Sequence, residues 1–280
     1  MPDYSSNYAK AKPYEDYFNA QTQLVWQLIS LVEKHGRPKR LAKLDALLFA
    51  LLSHSGSIVQ LLRSAAVPEA YLISRSFFEK CVNYCYLNVC SEDQYDNQLS
   101  WTRQKMLRAL YTRQKAYKNI ERDIPLPEIS EFLKINKDLE KFTGKRGGEK
   151  PNWTEVPIHQ RIRVIKESVD GFPNEMYLLT MNVVYEYASE VAHGTLYGAL
   201  FHVDVFWGKK GSLDDNVKRL VSMSMDLLFF LGYLVNGILE VVSTIIPAQE
   251  LLKVSKDNLK DKIQKNRSAL KHQEGEHNKD

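Results

Sequence analysis

The stretch "LLFFLGYLVNGIL", residues 227–239, decides the fold. Thirteen residues lie here between Asp226 and Glu240, and Asn236 is the one strongly polar side chain among them. A helix that spans a bilayer needs ~20 apolar residues, so this run is too short to cross. Its lack of a polar face instead predicts a helix buried in a protein core. The helical pattern extends on both sides to residues 213–246, and Pro247 stops it.

Outward from that core helix, nearly every long segment repeats with a helical period. No alternating strand run bounded by turn residues stands out. Residues 15–34 set Phe18, Leu24, Val25, Leu28, Ile29 and Val32 on one face, and Gly36 ends the helix. After the basic turn "RPKR", residues 41–65 are apolar nearly all round their middle ("LDALLFALL"), which marks that helix as central. Pro68 sits in the first turn of a third helix, "PEAYLISRSFFEKCVNYCYLNVC", where its missing N–H costs nothing. A fourth helix, residues 94–121, is basic. Residues 123–157 are the least regular and hold a short charged helix followed by "TGKRGGEKPNW". A short helix, "HQRIRVIKESV", precedes a long one that starts near Asn174.

The expected fold class is therefore all-α, a multi-helix bundle of six to eight helices over residues 15–247. Residues 1–14 form an N-terminal extension, and an irregular charged insertion lies at about 123–157. Residues 248–280 form a polar C-terminal tail, helical to about 270 and disordered beyond. There is no internal repeat.

Bulk composition sets limits on function. Lys plus Arg number 38 against 34 for Asp plus Glu, so net charge does not make the whole chain a polyanion binder. Three cysteines, Cys81, Cys85 and Cys90, fall within ten residues of one apolar segment. An odd count on one helix argues against a disulfide framework and for a reducing compartment. The N-terminal stretch shows no apolar secretory region. A cytoplasmic protein with no membrane association is expected.

Two polar clusters interrupt the apolar pattern. Arg75, Glu79 and Asn83 are spaced four and four on the third helix and share one face among Leu72, Phe77, Phe78 and Val82. Either Arg75 and Glu79 form an ion pair at the rim of the core, or Arg75 reaches an anionic ligand while Glu79 and Asn83 orient it. The second cluster lies in "YASEVAHGTLYG", residues 187–198. His193 has Ser189 one turn back, Glu186 two turns back and Gly194 beside it. It reads either as a core histidine at a close helix contact made by Gly194 and Gly198, or as a general acid or base whose tautomer those neighbours set.

Sharper chemistries find little support. "EVAH" has the Glu-x-x-His spacing of di-iron bundles, but no second copy exists. Cys81 and Cys85 lack further zinc ligands. "TGKRGGEK" does not have the order of a phosphate loop. Ser189 with His193 has no nucleophile elbow and no third member. No metal or cofactor is expected. Basic side chains Arg103, Lys105, Arg108, Lys145 and Arg146 are candidates for contact with a nucleic-acid backbone, or else form solvated faces.

The stretches "LLRSAAVPEAYLISRSFFEKCVNYCYL", "NWTEVPIHQRI" and "YEYASEVAHGT" together resemble a bacterial family catalogued as domain of unknown function 5677. Arg75, Glu79, Trp153, Ser189, His193 and Gly194 match its pattern residue by residue. More distantly the chain resembles the HEPN superfamily of helical bundles, many of them metal-independent ribonucleases of toxins and phage-defence systems. That resemblance implies RNA as substrate, His193 as acid/base, a phosphate-binding arginine, and a site completed across a dimer. HEPN sites carry Arg-x4–6-His on one helix. Here positions 186–189 are Glu, Tyr, Ala and Ser, so Arg75 would supply the guanidinium from another helix. The competing reading is a non-catalytic interaction or sensor subunit of a defence complex, with a protein partner or a second copy bound to it.

Overall fold

A computed structural model describes residues 4–119, 137–145, 147–150, 152–194 and 213–277. These residues form an all-α multi-helix bundle. In chain order they are α1 (Tyr4–Tyr8), a 3-10 turn (Ala9–Ala11), α2 (Lys12–Lys34), α3 (Lys39–Arg63), α4 (Val67–Val89) and α5 (Glu92–Asn119). There follow α6 (Lys137–Lys141), α7 (Ile158–Ser168), α8 (Asn174–Thr180), a π-helical turn (Met181–Glu186) and α9 (Tyr187–Ala192). Two long helices complete the described chain, α10 (Leu213–Ser243) and α11 (Gln249–His277). Two compact units emerge, one from Met1–Val89 with Ile158–Asp280, the other from Cys90–Pro157.

In the first unit α4 and α10 form the core. Helix α10 buries Leu227, Leu228, Leu231, Leu234, Val235, Ile238 and Leu239, and α4 buries Phe77, Phe78, Cys81, Val82, Tyr84 and Cys85. Gly232 and Gly237 let aromatic rings approach the α10 backbone. A Cβ at Gly232 would lie 2.7 Å from the Tyr17 ring, and one at Gly237 2.5 Å from the Tyr177 ring. The Tyr177 hydroxyl donates to the Leu234 carbonyl at 2.7 Å, so this buried phenol keeps a hydrogen bond.

Helix α3 lies less deep than its apolar sequence predicts. Its Phe49 is 49% exposed and meets the equally exposed Trp26 edge-on at 5.9 Å. Both α3 (Lys39–Arg63) and the Asp214–Ser243 part of α10 are long and apolar enough to cross a membrane by composition alone. Of the most apolar window, 72% is buried in α10 and 33% in α3.

The two ends of the described chain are tied into this unit. Tyr4 donates to the Leu62 carbonyl at 2.8 Å, and Tyr8 to Glu15 at 3.1 Å. The Glu15 carboxylate, fully buried, accepts from Arg63 at 3.0 and 2.5 Å and from Lys12 at 3.1 Å. Helix α11 lays the stripe Leu252, Ser255, Leu259 and Lys262 inward, at alternating steps of three and four residues. Ser255 joins a buried network: its carbonyl accepts from Gln21 at 2.9 Å, and its hydroxyl lies 2.5 Å from Gln21 Oε1 and 2.8 Å from Asn236 Oδ1. The ammonium of Lys262 stands 3.2 Å from the centre of the Tyr14 ring.

The second unit groups α5 with α6 and the segment up to Pro157. Glu149 is its polar hub, accepting from Gln104 at 2.6 Å and Lys105 at 2.9 Å. Among the described residues it holds no strand, only an isolated bridge between Thr143 and Glu149.

Candidate functional site

Arg75, Glu79 and Asn83 occupy one face of α4 as their spacing requires, but they do not act as one chain. Arg75 Nε stands 3.7 Å from Glu79 Oε1, with the two side chains 27% and 39% exposed. That distance is an ion pair without a hydrogen bond, and Arg75 Nε is buried with no hydrogen-bond partner. The guanidinium lies over the Tyr185 ring, 5.1 Å from its centre. Tyr185 comes from the π-helical turn, and its ring also packs on Phe78 at 5.6 Å. The one extra residue in a π-turn rotates the following side chains, and such turns recur at functional sites.

Asn83 orients a different arginine. Its Oδ1 accepts from Arg161 Nη1 at 2.7 Å. Arg161 lies on α7, four residues before the buried Ile165 and so on the inward face of that helix. Burial pulls its pKa down, while the nearby Tyr86, Glu79 and Tyr185 act in the opposite sense. In "NWTEVPIHQRI" the isolated Trp153 draws the eye before Arg161, whose place beside the isoleucine stripe is the available signal in sequence. Glu79 thus acts on both half-buried guanidinium groups beside one aromatic face. Guanidinium groups so placed suit an oxyanion.

His193 closes α9. Its backbone N–H donates to the Ser189 carbonyl at 3.0 Å, and the side chain is exposed. Among the described residues its imidazole makes no hydrogen bond and no ion pair, so none links it to Arg75 or Glu79. Ser189 does not orient it either, because its hydroxyl donates to the Tyr185 carbonyl at 2.7 Å. Glu186 is exposed. Gly194 has φ +62°, and among the described residues nothing lies within 4 Å of where a Cβ would stand. Its left-handed backbone suits a helix terminator. Gly198 and Arg146 lie outside the described residues.

The remaining candidates belong to the second unit. Trp153 is buried there, and Thr154 beside it donates to Gln94 at 3.1 Å. Lys105 pairs with Glu149 and stands 5.1 Å from the Trp101 ring; Arg108 donates to Gln104 at 2.7 Å and Thr143 at 2.6 Å. Arg103 donates to Ser100 at 3.0 Å, and Lys145 is exposed. Lys105 and Arg108 are thus engaged within their own unit. Among the described residues no three His, Cys, Asp or Glu side chains gather as a metal site would need.

Fold and site together define a helical bundle in which Arg75 of α4 and Arg161 of α7 share Glu79 and Tyr185 as neighbours. A family model described as "Family of unknown function (DUF5677)" matches residues 46–210, more than half of the chain, and the protein belongs to that family. The matched span carries Arg75, Glu79, Asn83, Arg161 and His193. No curated protein and no solved structure matches the chain.

Proposed function

We propose that the protein is a cytoplasmic, HEPN-like, metal-independent endoribonuclease that serves as a toxin or phage-defence effector. A protein partner or a second copy works with it, and it does not enter a membrane. The observation that carries this reading is the half-buried Arg75 guanidinium, set on the Tyr185 face beside Arg161. In this role the two arginines hold a phosphodiester, and Glu79 and Asn83 keep them in place. His193, exposed at the end of α9, takes the ribose 2′-OH proton as that oxygen attacks the adjacent phosphorus. The P–O5′ bond breaks, the 5′-oxygen leaves with a proton, and a 2′,3′-cyclic phosphate remains. Arginine charge offsets the negative charge that builds on the non-bridging phosphate oxygens. Incubation of purified protein with single-stranded RNA, without metal and across a range of pH, tests the proposal. Cleavage by wild type and its loss in His193→Ala are expected; intact RNA at every pH overturns the reading.

A second reading has its own support. The Ser189 hydroxyl bonds its own helix, and His193 has no side-chain partner among the described residues. Both facts favour a non-catalytic interaction or sensor subunit in which Arg75 and Glu79 are a structural pair. A Glu79→Gln variant with an unchanged melting curve would count against this alternative.

A further inference from the structure

Helices α2 and α3 form an antiparallel hairpin: the turn at residues 35–38 joins them, and Arg63 at the end of α3 bonds Glu15 at the start of α2. The outward face of this hairpin is poor in charge. On α2 no charged residue lies between Asp16 and Glu33, a run of roughly 25 Å. On α3 the exposed positions between Lys43 and Arg63 are Ala46, Phe49, Ser53, Gly56 and Gln60. By contrast, the exposed side of α11 carries Lys253, Lys256, Asp257, Lys260 and Asp261. Trp26 and Phe49, each 49% exposed and edge-on at 5.9 Å, join the two uncharged rows at mid-length. Gly56 adds an independent sign. It sits inside α3, where glycine is a poor helix former, and among the described residues nothing lies within 4 Å of where its Cβ would stand.

We propose that this face is the interface of a homodimer, in which the α2–α3 hairpins of two copies pack as a four-helix bundle. Depletion of charge around exposed aromatic side chains marks the core of a protein interface. The charges at its rim select the occupant. With the two-fold axis parallel to the helices, α2 of each copy lies antiparallel on α3 of the other. Glu33 then meets the partner's Lys43, and Asp16 the partner's Arg63. With the axis across the helices, α2 would lie on α2 and α3 on α3, bringing Asp16 onto Glu33 and Lys43 onto Arg63. Like charges reject that docking, so the face is its own complement in one orientation. Asp16 and Glu33 already hold Lys12 and Arg37, but those pairs are exposed and weak enough to share. Small residues at 46, 53 and 56 admit the partner's helix closely, with Trp26 and Phe49 as anchors. Two helices of this length give a footprint of roughly 500 Å² per copy, so the pair reaches the ~1,000 Å² of a specific interface. Arg75 and His193 are no part of this face, so the dimer goes beyond the ribonuclease reading and is tested without it.

Sedimentation equilibrium of the full chain over a dilution series tests the proposal. A reversible dimer, twice the chain mass of 32.4 kDa, is expected. Phe49→Glu and Gly56→Leu should each weaken it at least ~tenfold while the helical circular dichroism stays as in wild type. Leucine forms helix better than glycine, so a dimer lost in Gly56→Leu is not a sign of a weaker α3. Lys43→Glu should weaken the dimer about three- to tenfold, and Glu33→Lys added to it should restore the dimer. A monomer at every concentration overturns the proposal, as does a dimer indifferent to Phe49→Glu and Gly56→Leu, or a charge swap that fails to restore. A monomer that sediments with phosphatidylglycerol vesicles overturns it equally and assigns the face to lipid.

Discussion

The guanidinium of Arg75 lies 5.1 Å from the centre of the Tyr185 ring, and its Nε stands 3.7 Å from the Glu79 carboxylate. Among the described residues this arginine is held by a flat aromatic face and a distant charge, not by a fork of hydrogen bonds. Tyr185→Phe keeps that face and should leave RNA cleavage near wild type. Tyr185→Leu removes it and should weaken binding roughly three- to tenfold, the scale of a partly desolvated cation–π contact. Arg75→Lys, which loses the planar stack, should follow the leucine variant. The values of KM and kcat for the three variants check this.

Under the proposed ribonuclease function, His193 and Ser189 separate catalysis from helix stability. His193 is exposed with no side-chain bond among the described residues, so His193→Ala should leave the melting temperature unchanged while cleavage falls about 10²–10⁴-fold. Ser189→Ala should leave the rate intact, because its hydroxyl already donates to the Tyr185 carbonyl. Paired melting curves and RNA-cleavage rates decide both.

Glu15 makes stability depend on acid. Hydrogen bonds from Arg63 lead in holding its pKa at about 2, below the usual 4.5, despite burial. A depressed folded pKa contributes fully above the unfolded value and is lost as pH falls through the folded one. The difference in urea midpoint between wild type and Glu15→Gln should be constant above pH 4.5 and vanish as the pH falls to about 2. Arg63→Ala should cost about 1–3 kcal/mol at neutral pH, less than a fully buried pair because Arg63 is 57% exposed and Lys12 remains.

Gly237 is closed to any side chain. An alanine Cβ would meet Tyr177 Cε2 at 2.5 Å and its hydroxyl oxygen at 2.6 Å, and Tyr177 is fully buried. Gly237→Ala should lose about 1–3 kcal/mol of stability by overpacking, measured by urea unfolding.

Cys81 and Cys85 should resist thiol reagents in the native protein at pH 8 and react at once in denaturant. Both are fully buried, and burial pushes the Cys85 thiol up to about 12 and Cys81 upward too. A colorimetric thiol count before and after unfolding measures it.

The core of the fold was legible in sequence because α10 has no polar face to mistake and α4 sets large apolar side chains around the one polar row Arg75, Glu79 and Asn83. Depth was harder to read for α3. Its apolar middle predicts a central helix, yet a ring such as Phe49 can cover a neighbouring Trp26 at the surface without leaving water. The register of Arg75, Glu79 and Asn83 followed from helical spacing, whereas the partner of Asn83 did not. Arg161 lies 78 positions away, and only packing of α7 on α4 brings the two together. The backbone of Gly194 was hidden for a different reason. Close packing and a left-handed helix end call for the same residue, and only the backbone angle reveals the second.

The buried link from Gln21 to Ser255 and Asn236 bears on how the chain is made. It joins positions 234 residues apart, and the unit that holds it is interrupted by Cys90–Pro157. A chain emerging from the ribosome offers α2, α3 and α4 long before α10 and α11 exist to cover them. Folding of this unit must therefore wait until the segment around Ser255 has been synthesised, leaving the apolar faces of Phe77 and Phe78 open meanwhile to chaperones.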